Sequence, residues 1–319
     1  MHNAPRRPNC YTNSMKKTRD ESDQIADLIP EWERSLRARN RAVRTVESYI
    51  AILRTFDKWL ADNDYSSEID QIDRATVETY LAAMLDRGAS GATAARDYRY
   101  LRVFFEWAIT DDCIERSPME RMSPPKSEEK ITPIPDDGLI KQLLGTCSSK
   151  EFIDIRDDAM IRFMLATGSR LAEVAGLTLE DVSLDVDTAL IRGKGSKQRV
   201  VTWTDKTHGA LRKYLRARKN HPKAELDAFW IGRVGAVTGD GIQTMFRRRS
   251  ERAGIDPAIH PHQLRHKFSH DHLSNGGNET DLMDQGGWSS PQMLQRYGKA
   301  GRSERAIANR KALAIDNKY

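Results

Sequence analysis

Cysteine is scarce in this chain: Cys10, Cys113 and Cys147 are its only three in 319 residues. They are scattered and odd in number, which excludes a disulfide framework and favours a reducing, cytoplasmic setting. No apolar run approaches the ~20 residues needed to cross a bilayer, so a membrane role is not expected. The first 23 residues (MHNAPRRPNCYTNSMKKTRDESD) are polar throughout and lack the apolar core of a secretory signal. There is no internal repeat. Clusters of metal-ligating residues are also missing. The nearest approach is a run containing His260, His262, His266, His270 and His272, in which His266 and His270 have i, i+4 spacing. No cysteine lies near and no glutamate completes a zincin-like pattern, so satisfied helix histidines are the expected reading. Neither a metal nor another cofactor is called for.

The hydrophobic fraction is 39%, enough for packed cores, and the length allows two domains. A net charge of +5 is modest, but the basic residues are unevenly placed. Arg34, Arg37, Arg39, Arg41 and Arg44 gather around one helix–turn, and Arg247, Arg248, Arg249 and Arg252 crowd another helix. Clusters of this kind suit a surface that follows a phosphate backbone. A solvated helical face would look the same from sequence.

Residues 1–23 show no periodicity and read as a flexible tail. From residue 24 to 116 the pattern is helical. Ile25, Leu28, Ile29, Trp32 and Leu36 make one apolar stripe, and Pro30 within it suggests that the helix starts near the proline. Val46, Tyr49, Ile50, Leu53, Phe56 and Leu60 make a second stripe. A third helix runs from about Arg74 to Arg87 and ends at Gly88. A fourth spans roughly Ser90–Thr110, with Tyr98, Leu101, Phe105 and Ile109 on one side and Arg96, Arg99 and Arg102 on another. Prolines and charged residues over 117–135 read as a semi-rigid linker. Residues 136–319 form a second domain, mostly helical. Its one interruption is a hairpin in which TALIR and QRVVTW flank the turn Gly193-Lys194-Gly195-Ser196-Lys197. The fold class is therefore mainly α, a small helical bundle followed by a helical domain carrying a small antiparallel sheet.

Four segments of the second domain carry groups suited to cutting a phosphodiester. That reaction gathers negative charge on phosphate oxygens, and it needs a nucleophile and a proton for the departing sugar oxygen. Without metal ligands the charge falls to arginines, whose planar fork can hold two phosphate oxygens. The segments are Ala166-Thr167-Gly168-Ser169-Arg170-Leu171-Ala172-Glu173, the hairpin turn with Lys194, His262-Gln263-Leu264-Arg265-His266, and Gly286-Gly287-Trp288 followed nine residues later by Tyr297. Each alone is weak, and Tyr297 by itself could be a tyrosine with no role.

In order and spacing together, Arg170, Lys194, His262, Arg265, Trp288 and Tyr297 resemble the tyrosine recombinases, the phage-integrase family. The bundle before the linker is similar to the family's SAM-like core-binding domain. The resemblance implies that Arg170 and Arg265 clamp the scissile phosphate, that Lys194 protonates the leaving 5′ oxygen, and that His262 assists proton transfer. It implies that Trp288 donates its indole N–H to a phosphate oxygen and that Tyr297 attacks to form a 3′-phosphotyrosine. Glu173 matches a supporting acidic position. Arg41, Arg44, Thr45, Arg96, Arg99, Arg247 and Arg248 would contact DNA.

Most members carry histidine where this chain has Trp288, and an indole cannot shuttle a proton. The tail is too short for the arm-binding domain of lambda-type integrases, which points to a simple type. The implied partners are double-stranded DNA bearing core-type sites, closed on by both domains as a clamp, and three further copies of the chain. A directionality factor is possible. The last stretch, 303–318, is expected to pack on a neighbouring protomer. A phage or other mobile-element integrase is the leading expectation. The alternatives are an Xer-like resolvase of DNA dimers, a type IB topoisomerase and a catalytically silent DNA-binding regulator.

Overall fold

The computed structural model describes residues 23–127, 133–193, 197–288, 290, 307, 310 and 311. The chain divides between residues 129 and 130 into two compact units. Among the described residues no helix is long and apolar enough to cross a membrane.

The first unit is built from α1 (Ile25–Ala38), α2 (Val43–Asp62), α3 (Arg74–Asp86) and α4 (Gly91–Thr110). Helix α1 begins five residues before Pro30, not at it. Pro30 falls in the second turn, where it removes one intrahelical hydrogen bond. Burial of Ile25, Leu28, Ile29 and Trp32 outweighs that loss, and the Ile25 N–H is satisfied by the carbonyl of Ser67 at 3.0 Å. Side chains start α3 and α4: Asp73 accepts from the Thr76 N–H at 2.8 Å and Ser90 from the Thr93 N–H at 3.2 Å. The core is strongly aromatic. Trp32 lies edge-on to Phe104 at 5.1 Å, and Phe56 does the same with Tyr80 at 4.9 Å. Truncating a side chain as deeply buried as Trp32 to alanine costs about 3–5 kcal/mol. Ile109, expected on the inner side of α4, is instead exposed. Met119 and Met122 are buried in this same core, and the Tyr98 hydroxyl donates to the Met122 carbonyl at 2.6 Å.

The second unit contains α5 (Asp137–Gly145), α6 (Phe152–Thr167), α7 (Leu171–Ala175), the strands β1 (Val182–Ser183), β2 (Thr188–Arg192) and β3 (Gln198–Thr202), and then α8 (Asp205–Lys219), α9 (Gly239–Ala253), α10 (Pro261–Ser274) and α11 (Glu279–Gly286). The sheet is antiparallel in the order β1-β2-β3. The short β1 was not visible in the sequence pattern. Ala189 and Ile191 of β2 and Val201 of β3 point into the core, and Ile191 lies directly opposite Arg199. Helix α6 is central, its buried Phe163 meeting Trp203 and Trp230. The Tyr214 hydroxyl donates to the Phe229 carbonyl at 2.8 Å and accepts from the Ile231 N–H at 3.0 Å. Buried Arg218 ties down the following loop through the carbonyls of Ala224, Leu226, Ala228 and Phe229.

Candidate active site

Two short stretches of the second unit line one cleft, and a third is hydrogen-bonded to their arginines. Helix α6 ends at Gly168, which adopts left-handed backbone with φ of 58°. The chain turns through buried Ser169 into Arg170, which precedes the first residue of α7. Glu173 reaches back to accept from the Arg170 N–H at 2.7 Å, which fixes the turn. Helix α10 opens with Pro261, a residue suited to a first helical position because its missing N–H would have no partner there. The Gln263 side chain accepts from the His260 N–H at 2.8 Å. These two starts bring Arg170, His262 and Arg265 to a cleft of about 450 Å³, also lined by Ser169, His260 and Gln243. The positive end of α10 opens on it and favours an anion.

The third stretch is the end of α11. Its last carbonyls have no helical partners, and three arginines fill that need. Arg199 donates to the Gln285 carbonyl at 2.8 Å, Arg265 to that of Gly286 at 2.6 Å, and Arg170 to that of Gly287 at 2.8 Å. Arg265 is 2% exposed and donates a second time to the Gly168 carbonyl at 2.5 Å. Its guanidinium carbon lies 3.9 Å above the ring of Trp288, a cation–π contact. Trp288 packs on Leu282, Phe268, Leu273 and Met283. The two glycines are required here. A side chain at Gly286 would collide with the Trp288 ring, and Gly287 is left-handed with φ of 66°.

Glu173 joins the parts. It accepts from Arg170 at 2.8 Å and takes a two-pronged contact from Arg199 at 2.7 and 3.0 Å. Burial pushes its pKa up, but the Arg199 and Arg170 bonds outweigh that and hold the carboxyl at about 2. His262 is exposed, yet the protein atoms around its ring and then the charges of Arg265 and Arg170 hold its pKa below the usual value. His266, buried and edge-on to His262 at 4.8 Å, is lowered to about 4 by burial and then by its neighbours His262 and Arg265. Both imidazoles are therefore neutral at neutral pH. Among the described residues no group of three or more histidine, cysteine, aspartate or glutamate side chains could hold a metal ion.

The structure thus brings together four residues singled out in the sequence, Arg170, Glu173, His262 and Arg265, with Trp288 beneath Arg265. Lys194 and Tyr297 lie outside the described residues. Arg199 was missed. The signal was present: it lies two residues from buried Val201 on β3 and so shares its face, a charge on the inner face of a strand. Of the residues expected on DNA, Arg41, Arg44 and Arg99 are exposed and Thr45 is half-buried. Arg96 forms a two-pronged contact with Asp97 at 2.7 and 2.9 Å. Arg247 and Arg248 are exposed, but Arg249 of the same run turns inward to Asp154 and Asp157. Of residues 303–318, Ile307, Arg310 and Lys311 are described, and all three are exposed.

Comparison with known proteins agrees with this geometry. The model of the phage integrase family matches residues 137–303, and that of the phage integrase N-terminal SAM-like domain matches residues 29–111. Tyrosine recombinase XerD of Bifidobacterium longum is 30% identical over 250 residues, covering 75% of this chain and 80% of that protein. Tyrosine recombinase XerC of Lacticaseibacillus casei is 27% identical over 264 residues, covering 81% and 89%. A lambda integrase dimer bound to a core site shares the fold, with a TM-score of 0.71 at 14% identity over 86% of this chain and 95% of that one. The chain belongs to the phage integrase family, the tyrosine-type site-specific DNA recombinases.

Proposed function

We propose that the cleft of Arg170, His262 and Arg265 holds the scissile phosphate of a duplex DNA core site, and that Tyr297 attacks it. The observation that carries this reading is the convergence of two arginine forks and one neutral imidazole on a single cleft at the start of a helix. Arg170 and Arg265 stabilise the charge that grows on the non-bridging oxygens. The phenolic oxygen of Tyr297 forms its bond to phosphorus as the bond to the 5′ oxygen breaks. The phenol proton passes to His262, which is poised to accept it, and Lys194 delivers a proton to the leaving 5′ oxygen. The products are a 3′-phosphotyrosine and a free 5′-hydroxyl. A 5′-hydroxyl from a second duplex reverses the step, so the bond energy is kept and no nucleotide is consumed. Trp288 acts as the platform that fixes Arg265, in addition to any hydrogen bond its indole N–H makes.

Arg41, Arg44, Thr45, Arg99, Arg247 and Arg248 contact the DNA backbone in this reading, with Arg96 contributing from its place beside Asp97. Four copies assemble on two sites and exchange strands in pairs to integrate or excise a mobile element. Resolution of DNA dimers is the second reading, favoured by the likeness to the XerC and XerD proteins. Incubating the protein with a circular DNA carrying two directly repeated sites separates the two readings. Efficient conversion to two circles supports resolution, whereas recombination only between two unlike sites supports integration.

A further inference from the structure

The strand β3 contributes a side chain that the proposed chemistry does not use. Arg199 is mostly buried, with its side chain 12% exposed, and its donors are divided between two targets. One edge of its fork grips both oxygens of Glu173, and its Nε donates to the Gln285 carbonyl. Glu173 in turn orients Arg170 through both the main-chain N–H and the guanidinium. The Arg199 fork also lies against the turn after α11, since a Cβ on Gly287 would stand 3.0 Å from its Nη1. Main-chain carbonyls at a helix end are mobile unless something binds them. Here one guanidinium binds both that end and the acid that sets the Arg170 geometry.

We propose that Arg199 is a positioning residue. It clamps the last turn of α11, from which the sequence runs on through Trp288 to Tyr297, against the Glu173–Arg170 pair. The proposal rests on the reading of Tyr297 as nucleophile. Arg199 touches no reacting atom in this scheme, so its loss lowers the rate of attack and leaves DNA affinity in place.

The test uses Arg199→Lys, with Arg199→Ala as a second variant. Lysine keeps a positive charge beside Glu173 and protects the fold, but its single ammonium cannot span Glu173 and the Gln285 carbonyl as a planar fork does. Two readouts are taken on the full-length protein. Hydrogen exchange without DNA should rise about tenfold in peptides covering residues 283–288, while peptides of α6 and α8 stay within about twofold of wild type. Unchanged exchange at 283–288, or acceleration everywhere, overturns the clamp. The second readout is covalent-complex formation on nicked duplexes tiled from the DNA flanking the protein's own gene. Misplacement of a reacting group by an ångström costs about 10²-fold in rate, and that loss is expected with affinity changed by no more than about threefold. The same duplex with sulfur in place of the bridging 5′ oxygen has a leaving group that needs no proton. It should rescue Lys194→Ala and fail to rescue Arg199→Lys. Rescue of Arg199→Lys would place the defect in leaving-group protonation and overturn the proposal. If wild type binds one duplex tightly and forms no covalent complex on it, the nucleophile reading fails, and the exchange result still decides the clamp.

Discussion

The second unit holds two arginine centres that look alike in composition and differ in what surrounds them. At the junction of α9 and α6, Arg249 is gripped by two carboxylates, with Asp157 at 2.6 and 2.8 Å and Asp154 at 2.7 Å. Arg156 adds a second cation on Asp157 at 2.6 Å. At the cleft, Arg265 is held by the carbonyls of Gly168 and Gly286, and Arg170 by Gly287 together with Glu173. A carboxylate consumes the charge it orients. A main-chain carbonyl aligns a guanidinium without neutralising it, so the fork keeps its attraction for phosphate. The first centre is glue between helices, and the second is the phosphate receptor of the proposed function. Residue type does not separate them, because Arg249 follows directly on the exposed Arg247 and Arg248.

The sharpest way to break this contrast is to remove one arginine from each centre. Arg249→Met takes the shared cation from buried Asp154 and Asp157, leaving Asp157 with Arg156 alone, and should cost about 3–5 kcal/mol of stability, read by urea unfolding. Protein that remains folded at low temperature should still cleave DNA at the wild-type rate. Arg170→Ala should do the reverse, with cleavage down about 10²–10³-fold and the unfolding midpoint little changed. Equal effects of the two substitutions on both readouts would erase the distinction.

A pH titration sharpens it further. His266 beside the cleft has a folded pKa of about 4, below its unfolded value of about 6.5. The unfolded chain therefore binds the proton more readily, and the stability from neutral His266 is complete above pH 6.5. It is lost as pH falls towards 4, by about 3 kcal/mol at most. His266→Gln should flatten unfolding midpoints measured between pH 7 and pH 4.5, and an unaltered slope would remove this buried imidazole as the cause. The smallest effect belongs to the surface. Arg248→Ala should weaken DNA binding modestly on all sequences and reduce the slope of log affinity against log salt by about one. A sequence-dependent loss would instead mean that Arg248 reads bases.

Most helices were legible because their apolar stripes are long and their ends are marked. Pro261 opens α10 and Gly88 follows α3, as their local chemistry requires. The site was legible because Arg170 is set at a helix start and His262 and Arg265 lie three apart on another helix, so local spacing carried the geometry. What escaped notice depends on long-range packing. Helix α1 tolerates Pro30 because the side chains around it are buried. Arg249 faces inward because Asp154 and Asp157 wait on a helix some ninety positions away. Arg199 finds Glu173 and Gln285 only after the sheet has folded against α11. Trp288 acquires a cation partner for the same reason.

In the proposed function Tyr297 makes a covalent bond to DNA in a cleft set by Arg170 and Arg265. Covalent trapping tests it most directly. Wild type and Tyr297→Phe are each incubated with nicked duplexes tiled from the DNA flanking the gene, and the mixtures are resolved on a denaturing gel. A shifted protein–DNA band is expected with wild type alone, on the segment that both proteins bind. A band of equal strength with Tyr297→Phe, or tight binding of one segment by wild type with no band, would contradict it.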